Sequence, residues 1–264
     1  MYFPNFNPVL LSLGPLEIRW YGIMYVLGFF LSVWWMFYLQ KKGKLHIQKE
    51  QIWDFTFYCM VGVLIGARLF MIFWQPSVYL FKPWNLLKIW EGGMSFHGGF
   101  VGIVVAGWWY CKKHKLNFWT MADILSVPMI LALALGRIAN FINAELIGRV
   151  TNVSWCIDHS QNQYVANLPS GCRHPSTLYA AAKRFAVFGW LLFLTFRNTF
   201  KPGFIFWNFV FFEGLGRFIV DFYREDVLYV GLSIGQWFSV IMVIISIIVF
   251  LKYYRKDCQK MRKT

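Results

Sequence analysis

The chain has 264 residues, of which 58% are hydrophobic, 21% aromatic and only 14% charged, whereas an average globular chain is about 45–50% apolar and about 25% charged. Twenty-six lysines and arginines against 12 acids leave a formal net charge of +14. This much apolar content excludes a disordered chain, and 28 Phe, 14 Trp and 13 Tyr would leave a soluble single-domain enzyme with too much uncovered apolar surface. A nucleic-acid-binding module would account for the charge but not the oil, so no nucleic acid is expected as a partner. A polytopic membrane protein satisfies both.

The chain opens on MYFPNFNPVLLSLGP, with three prolines and no positive charge, which does not read as a signal peptide. Seven stretches then approach the ~20 mostly apolar residues that a spanning helix requires. They are Trp20–Leu39, Asp54–Trp74, Met94–Cys111, Met121–Phe141, Ser176–Phe196, Gly203–Val220 and Ser233–Leu251. None alternates as a barrel strand does, so an all-α fold of seven transmembrane helices is expected. With the N-terminus outside, the inner segments collect Lys41, Lys42, Lys44 and Lys49, then Lys112, Lys113 and Lys115, then Arg197 and Lys201, and finally the basic C-terminal run from Lys252. The outer segments hold only Lys82, Lys88, Arg149, Arg173 and Arg224. The positive-inside rule then predicts N-out and C-in. Residues 143–175 make the longest outer connection, too long for a simple turn, and are expected to fold as a small cap between helices four and five. No repeat or linker divides the chain, so residues 1–264 read as one membrane domain. Cys156 and Cys172 fall together in the cap, where a disulfide and two thiols are both open.

Ionisable groups within the spans are costly there and therefore point to function. At ~1.5 Å per residue, His97 enters span three by one turn, and Arg137 and Asn140 occupy the last turn of span four. Arg217 lies a turn inside span six, Arg68 is deeper in span two, and Arg19 and Tyr21 open span one. These groups share one depth near the outer face. Glu213, Arg217, Asp221 and Arg224 are spaced four, four and three apart, one stripe that would form an ion-pair ladder along span six. Cations nevertheless outnumber acids in this set, so a ligand anion is wanted. Guanidinium forks bind phosphate bidentately at any working pH. Snorkelling to the interface is the simpler account of Arg19 and Arg149, but it fits the convergence of Arg137 and Arg217 poorly.

The run Glu91–Gly99 brackets His97 with four glycines where a helix begins, a setting suited to an anion and to close approach of another backbone or of a headgroup. His97 could serve as a general base, or simply pack against a neighbour. In Arg173-His-Pro-Ser, His174 is a second candidate ligand, although a proline-initiated helix start explains most of that run. No zinc, Walker, GxGxxG or GxSxG pattern is present.

These residues bring a family into view. Gly136-Arg-Ile-Ala-Asn-Phe-Ile-Asn-Ala-Glu-Leu-Ile-Gly148 resembles the signature of the bacterial prolipoprotein diacylglyceryl transferases. Arg19-Trp-Tyr-Gly22, Gly92–Gly99, Arg173–Ser176 and Gly216–Arg224 resemble its other blocks, in the same order. The resemblance implies transfer of the diacylglyceryl group of phosphatidylglycerol to the lipobox cysteine thiol of preprolipoproteins, in a bacterial cytoplasmic (inner) membrane, with the active site toward the outer leaflet. The products would be a thioether and glycerol phosphate. Membrane lipids and lipobox peptides would be the partners, with no metal or organic cofactor; the sequence assigns no oligomeric state. By the same implication, His97, Arg137, Arg217, Tyr21, Asn140 and Glu145 are catalytic positions. Arg137, Arg217, Arg68, Gly98, Gly99, Gly148 and His174 would contact phosphatidylglycerol. The base is either His97 or Tyr21, or a group outside the protein.

Two positions depart from the family pattern. Ala180 stands where an acidic residue often follows the tyrosine, with Lys183 and Arg184 close behind, and Glu213 stands where relatives commonly carry a tyrosine or other non-acidic residue. Both bear on the lipid or peptide path. A lipid transporter built on the same arginines would need polar groups through the whole membrane depth or inverted repeats, and the sequence has neither. An inactive paralogue is the other alternative.

Overall fold

The computed structural model describes residues 2–3, 5–13, 16–87, 95–197 and 200–262. In chain order the elements are strands β1 (Val9–Leu13) and β2 (Leu16–Arg19), then helices α1 (Trp20–Lys41), α2 (Lys49–Leu69), α3 (Met71–Trp74) and α4 (Pro76–Tyr79). A 3-10 turn at Pro83–Leu86 precedes α5 (Phe96–Lys113), α6 (Phe118–Ile142), α7 (Ser176–Arg197) and α8 (Phe204–Asp221). Strands β3 (Leu228–Tyr229) and β4 (Leu232–Ser233), then helices α9 (Ile234–Tyr253) and α10 (Arg255–Arg262), complete the order.

Each of the seven expected stretches is largely helical over its described residues, with edges moved by a few residues. The second begins five residues early, because the Gln51 side chain accepts the Gln48 backbone N–H at 2.9 Å and caps the helix there. It ends at Leu69, and the chain turns helical again only briefly. Among the described residues, five helices are long and apolar enough to cross a membrane. The other two are α5, diluted by glycine, tryptophan and its terminal lysines, and α8, which carries Glu213, Arg217 and Asp221. The strictly all-α expectation is corrected by two small antiparallel hairpins, β1–β2 and β3–β4. The first leads into α1 and the second follows α8, where backbone groups outside the helices are satisfied by strand pairing. The second turns through Val230 and Gly231, at φ 52° and 81°, the pair of positive φ values that a two-residue hairpin demands.

The chain forms two compact units, residues 29–121 and the remainder. In residues 29–121 the core is the α2–α5 pair. A Cβ built on Gly102 would lie 1.9 Å from the Gly62 carbonyl oxygen, and one on Gly98 would lie 2.2 Å from that of Gly66. Only glycine allows backbones this close, the small-residue seam by which helices pair without a hydrophobic drive. Phe55, Cys59 and Tyr110 fill the deeper part of the pair, where the Tyr110 hydroxyl donates to the Gln51 carbonyl at 3.3 Å.

In the other unit, α8 packs between α7 and α9. Its N-cap is Gly203, which has no side chain to offer; the Asp123 carboxylate of α6 accepts the Gly203 and Phe206 N–H groups instead, each at 2.7 Å. Gly214 lets α8 approach Ser239 and Met242 of α9. Residues 143–175, the expected cap, fold as a compact connection between α6 and α7. Cys156 and Cys172 are joined by a disulfide with Cα atoms 5.3 Å apart, and bridges link Val150 and Ile157 to Arg173 and Gly148 to Arg224. A small core of Phe3, Ala144 and Ile157 closes against Phe141, Val165 and Leu168.

Candidate functional site

At the ends of α6, α7 and α8 a cleft of about 290 Å³ is walled by Arg137, Lys183, Arg184, Arg217, Arg224 and Asp221, with Leu146, Ser176, Thr177, Ala180 and Val220 between them. Three helices and the turn after α8 deliver five cations to one cavity. A smaller cleft of about 200 Å³ shares Leu146, Ser176 and Thr177 with it and is lined further by Glu145, Gly148, His159 and His174.

Each cation is held differently. The Arg137 Nη1 donates to the Asn140 side-chain carbonyl at 3.4 Å. Asn140 in turn donates from Nδ2 to Glu145 at 2.7 Å, and Asn143 donates to the other oxygen of Glu145 at 3.1 Å. Four members of the signature run are therefore one chain of hydrogen bonds. The run can turn this tightly because Ala144 and Leu146 adopt positive φ, 51° and 56°, conformations that non-glycine residues visit only when the surroundings impose them.

Buried Asp221 anchors the second group. Its carboxylate lies 3.5 Å from Arg217 Nε and 3.6 Å from Arg224 Nη1 and accepts from the Ser233 hydroxyl at 3.5 Å. A Cβ on Gly235 would sit 2.5 Å from Asp221 Oδ2 and 2.7 Å from Arg217 Nη2, so the missing side chain makes room for the pair. Gly216 gives Lys183 the same clearance, with a built Cβ 2.7 Å from Lys183 Cδ.

The expected ladder along α8 is corrected at Glu213. This buried carboxylate turns to α7 and not to Arg217: Lys183 Nζ donates to it at 2.5 Å and Arg184 Nε at 3.1 Å, with Arg184 Nη2 on the same oxygen. A buried acid in a largely apolar helix is satisfied best by the nearest cations, and two lie directly across the α7–α8 contact. Glu213, one of the two expected departures, is thus an acid on α8 matched by bases on α7. Lys183, Arg184 and Arg224 were not among the expected site residues. The signal available was the Lys183–Arg184 pair inside an otherwise apolar span, with an acid inside another.

The remaining expected residues fall as follows. Tyr21, near the start of α1, places its hydroxyl 3.1 Å from that of Tyr25. Arg19 is exposed and paired with Glu17 on β2 at 2.8 Å. Gly148 is wedged in backbone, since a Cβ there would meet the His174 and Tyr223 carbonyl oxygens at 2.2 and 2.8 Å; close packing is what this position requires. His174 Nδ1 lies 3.2 Å from the Tyr179 hydroxyl, which also accepts from Trp155 Nε1 at 2.6 Å, and Tyr223 meets the His174 ring edge-on. Ser176 begins α7 and donates to the Leu146 carbonyl at 2.8 Å.

Four expected residues belong to residues 29–121. Arg68 is buried at the end of α2, with Nη1 3.3 Å from the Tyr79 hydroxyl. Gly98 and Gly99 face α2 and are accounted for by that packing. His97 is exposed at the first turn of α5, where Ser95 caps the helix by accepting the Gly98 N–H at 3.3 Å. Glu91, Gly92 and Gly93 lie outside the described residues. In the cap, burial and then the charge of Arg173 hold the His159 imidazole below its ordinary pKa, offset in part by Asp158. The Ser160 backbone N–H lowers that of Asp158.

Apolar helices of spanning length define a multi-pass membrane protein, in which five cations line one cleft. Residues 8–252 match the family model described as prolipoprotein diacylglyceryl transferase. A phosphatidylglycerol–prolipoprotein diacylglyceryl transferase of Rickettsia akari is 39% identical over 255 residues, 93% of this chain and 96% of the relative. A protein of the same name from Geobacter sulfurreducens is 39% identical over 253 residues, 94% and 95% of the two chains, and one from Rickettsia felis is 37% identical over 255 residues. The chain belongs to the prolipoprotein diacylglyceryl transferase family.

Proposed function

We propose that this protein moves the diacylglyceryl group of phosphatidylglycerol onto the lipobox cysteine of a preprolipoprotein, and that the cleft of Arg137 and Arg217 receives the phosphate. The observation that carries the reading is the gathering of Arg137, Lys183, Arg184, Arg217 and Arg224 around one cavity, where the acids paired with them among the described residues, Asp221, Glu213 and Asp226, are fewer. In the reaction the cysteine thiol gives up its proton and the sulfur bonds to the glycerol carbon. The carbon–oxygen bond breaks with its electron pair left on the phosphate, so a thioether and glycerol phosphate form. Negative charge grows on that phosphate, and fixed guanidiniums out of water are well suited to stabilise it. The Asn140–Glu145 relay would hold the Arg137 fork in one orientation. Tyr21 and His97 are the candidate bases, and His174 would border the lipid from the second cleft.

The distribution of lysines and arginines supports one seven-span domain, N-out and C-in, with the cleft toward the outer leaflet of a bacterial cytoplasmic membrane. Family membership favours transfer over transport. The test is purified protein in phosphatidylglycerol vesicles with a lipobox peptide, read by mass spectrometry. Arg137→Ala and Arg217→Ala are each expected to slow lipidation by about 10²–10³-fold while the thermal melt is kept. No lipidated peptide from the unaltered protein would overturn the assignment; normal rates in either variant would overturn the placement of the phosphate.

A further inference from the structure

We propose that Arg184 is a further contact for the reacting phosphate, positioned by Glu213, and that it answers to the second negative charge this phosphate gains on leaving. The inference rests on the transferase reading and adds a residue outside the family's signature run.

The first observation is an unspent donor on a residue of the cleft wall. Arg184 is buried, its side chain 5% exposed. Glu213 occupies one edge of the guanidinium, Nε and Nη2. Nη1, at the opposite corner, is buried without a hydrogen-bond partner among the described residues, and Arg184 forms part of the cleft wall. Leaving a buried charged donor unmet is costly. A carboxylate clamp on one edge fixes where the free corner points. Mutual neutralisation alone does not explain the arrangement, because two cations share one acid and the Lys183–Arg184–Glu213 triad keeps a positive charge.

The second observation is the charge balance of the cleft. Five cations less Asp221, Glu213 and Asp226, the last paired with Arg224, still exceed what a phosphodiester, with one negative charge, can neutralise. When the thiol proton departs and the carbon–oxygen bond breaks, the diester becomes a monoester whose second ionisation lies near pH 6. At neutral pH the leaving glycerol phosphate is mostly a dianion. The surplus cation therefore matches the product side of the reaction better than the resting lipid.

The experiment compares the unaltered protein with Arg184→Gln and with Arg184→Gln/Glu213→Gln, which keeps the net charge of the triad and removes the buried pair whole. Rates with phosphatidylglycerol vesicles are measured alongside calorimetric binding of glycerol phosphate, with glycerol as the neutral control. Expected is a loss of about tenfold or more in kcat and in glycerol phosphate affinity for both variants, the scale of one charge-assisted hydrogen bond. KM for the lipid stays within about threefold, as expected for an interaction made mainly in the transition state. The double variant recovers the melting temperature lost by the single one. Recovery of kcat together with stability would show that Arg184 acts only structurally and would overturn the proposal. A loss confined to KM, with glycerol phosphate binding intact, would assign Arg184 to the resting headgroup and overturn its link to the leaving group. If the unaltered protein lipidates no peptide yet binds glycerol phosphate and the double variant does not, the anion contact stands and the transferase reading falls.

Discussion

The two compact units join their helices by opposite means. Within residues 29–121, α2 and α5 meet backbone to backbone along Gly62, Gly66, Gly98 and Gly102. In the other unit α7 and α8 are tied by Lys183, Arg184 and Glu213, and Asp221 holds Arg217 and Arg224 below them. Lipid gives helices no hydrophobic reason to associate, so they use either close dispersion contact or polar groups that cannot be solvated elsewhere. A glycine seam is chemically inert. A charge cluster with more cations than acids is not, and in this molecule the cleft lies beside the cluster.

The contrast can be broken on either side. The largest effect is expected from Glu213→Gln, which strands Lys183 and Arg184 and should cost about 3–5 kcal/mol; a melt in detergent unchanged within error would show that the triad does not hold α7 to α8. Next comes Gly102→Ala, whose new Cβ overlaps the Gly62 carbonyl. About 1–3 kcal/mol of overpacking is expected, with faster hydrogen exchange confined to α2 and α5. Faster exchange in α7 and α8 instead would undo the separation of the two units.

The smallest effect is in the cap, from pH. His159 has a folded pKa below its ordinary value because of burial and Arg173. The unfolded chain therefore binds the proton more readily, and stability is full above about pH 6.5 and falls as pH drops toward the folded value. The lowered Asp158 carboxyl acts in the same direction at more acid pH. Exchange across residues 143–175 should quicken on acidification, with a slope below about 1.4 kcal/mol per pH unit. His159→Phe should remove the part near pH 6; an unchanged profile would exclude this histidine as its source.

Much of the helical order was legible because the spans are long, apolar and bounded by charges or turns. Their exact ends were not, since a cap such as that made by Gln51 for α2 depends on rotamers and not on composition. The Arg137–Asn140–Glu145 chain could be suspected from a signature run but not drawn, because it needs the positive φ of Ala144 and Leu146 to fold Glu145 back. Gly98 and Gly99 left room for a headgroup or another backbone, and the family resemblance assigned them and Gly148 to the headgroup. A missing side chain reads the same in sequence whether lipid or another backbone fills the space, and here backbone fills it at Gly98 and Gly148.

By itself the sequence determined the oily, helical character of the chain, its excess of basic residues and the mid-span ionisable groups that could not be idle. Periodicity and composition are local properties, and local properties survive without a fold. Only the tertiary structure decided which acid met which base. Glu213 could have bonded Arg217 four residues along its own helix, and it bonded Lys183 and Arg184 across the α7–α8 contact instead. Coulomb attraction depends on distance in space, which the spacing along a chain does not supply once two helices pack.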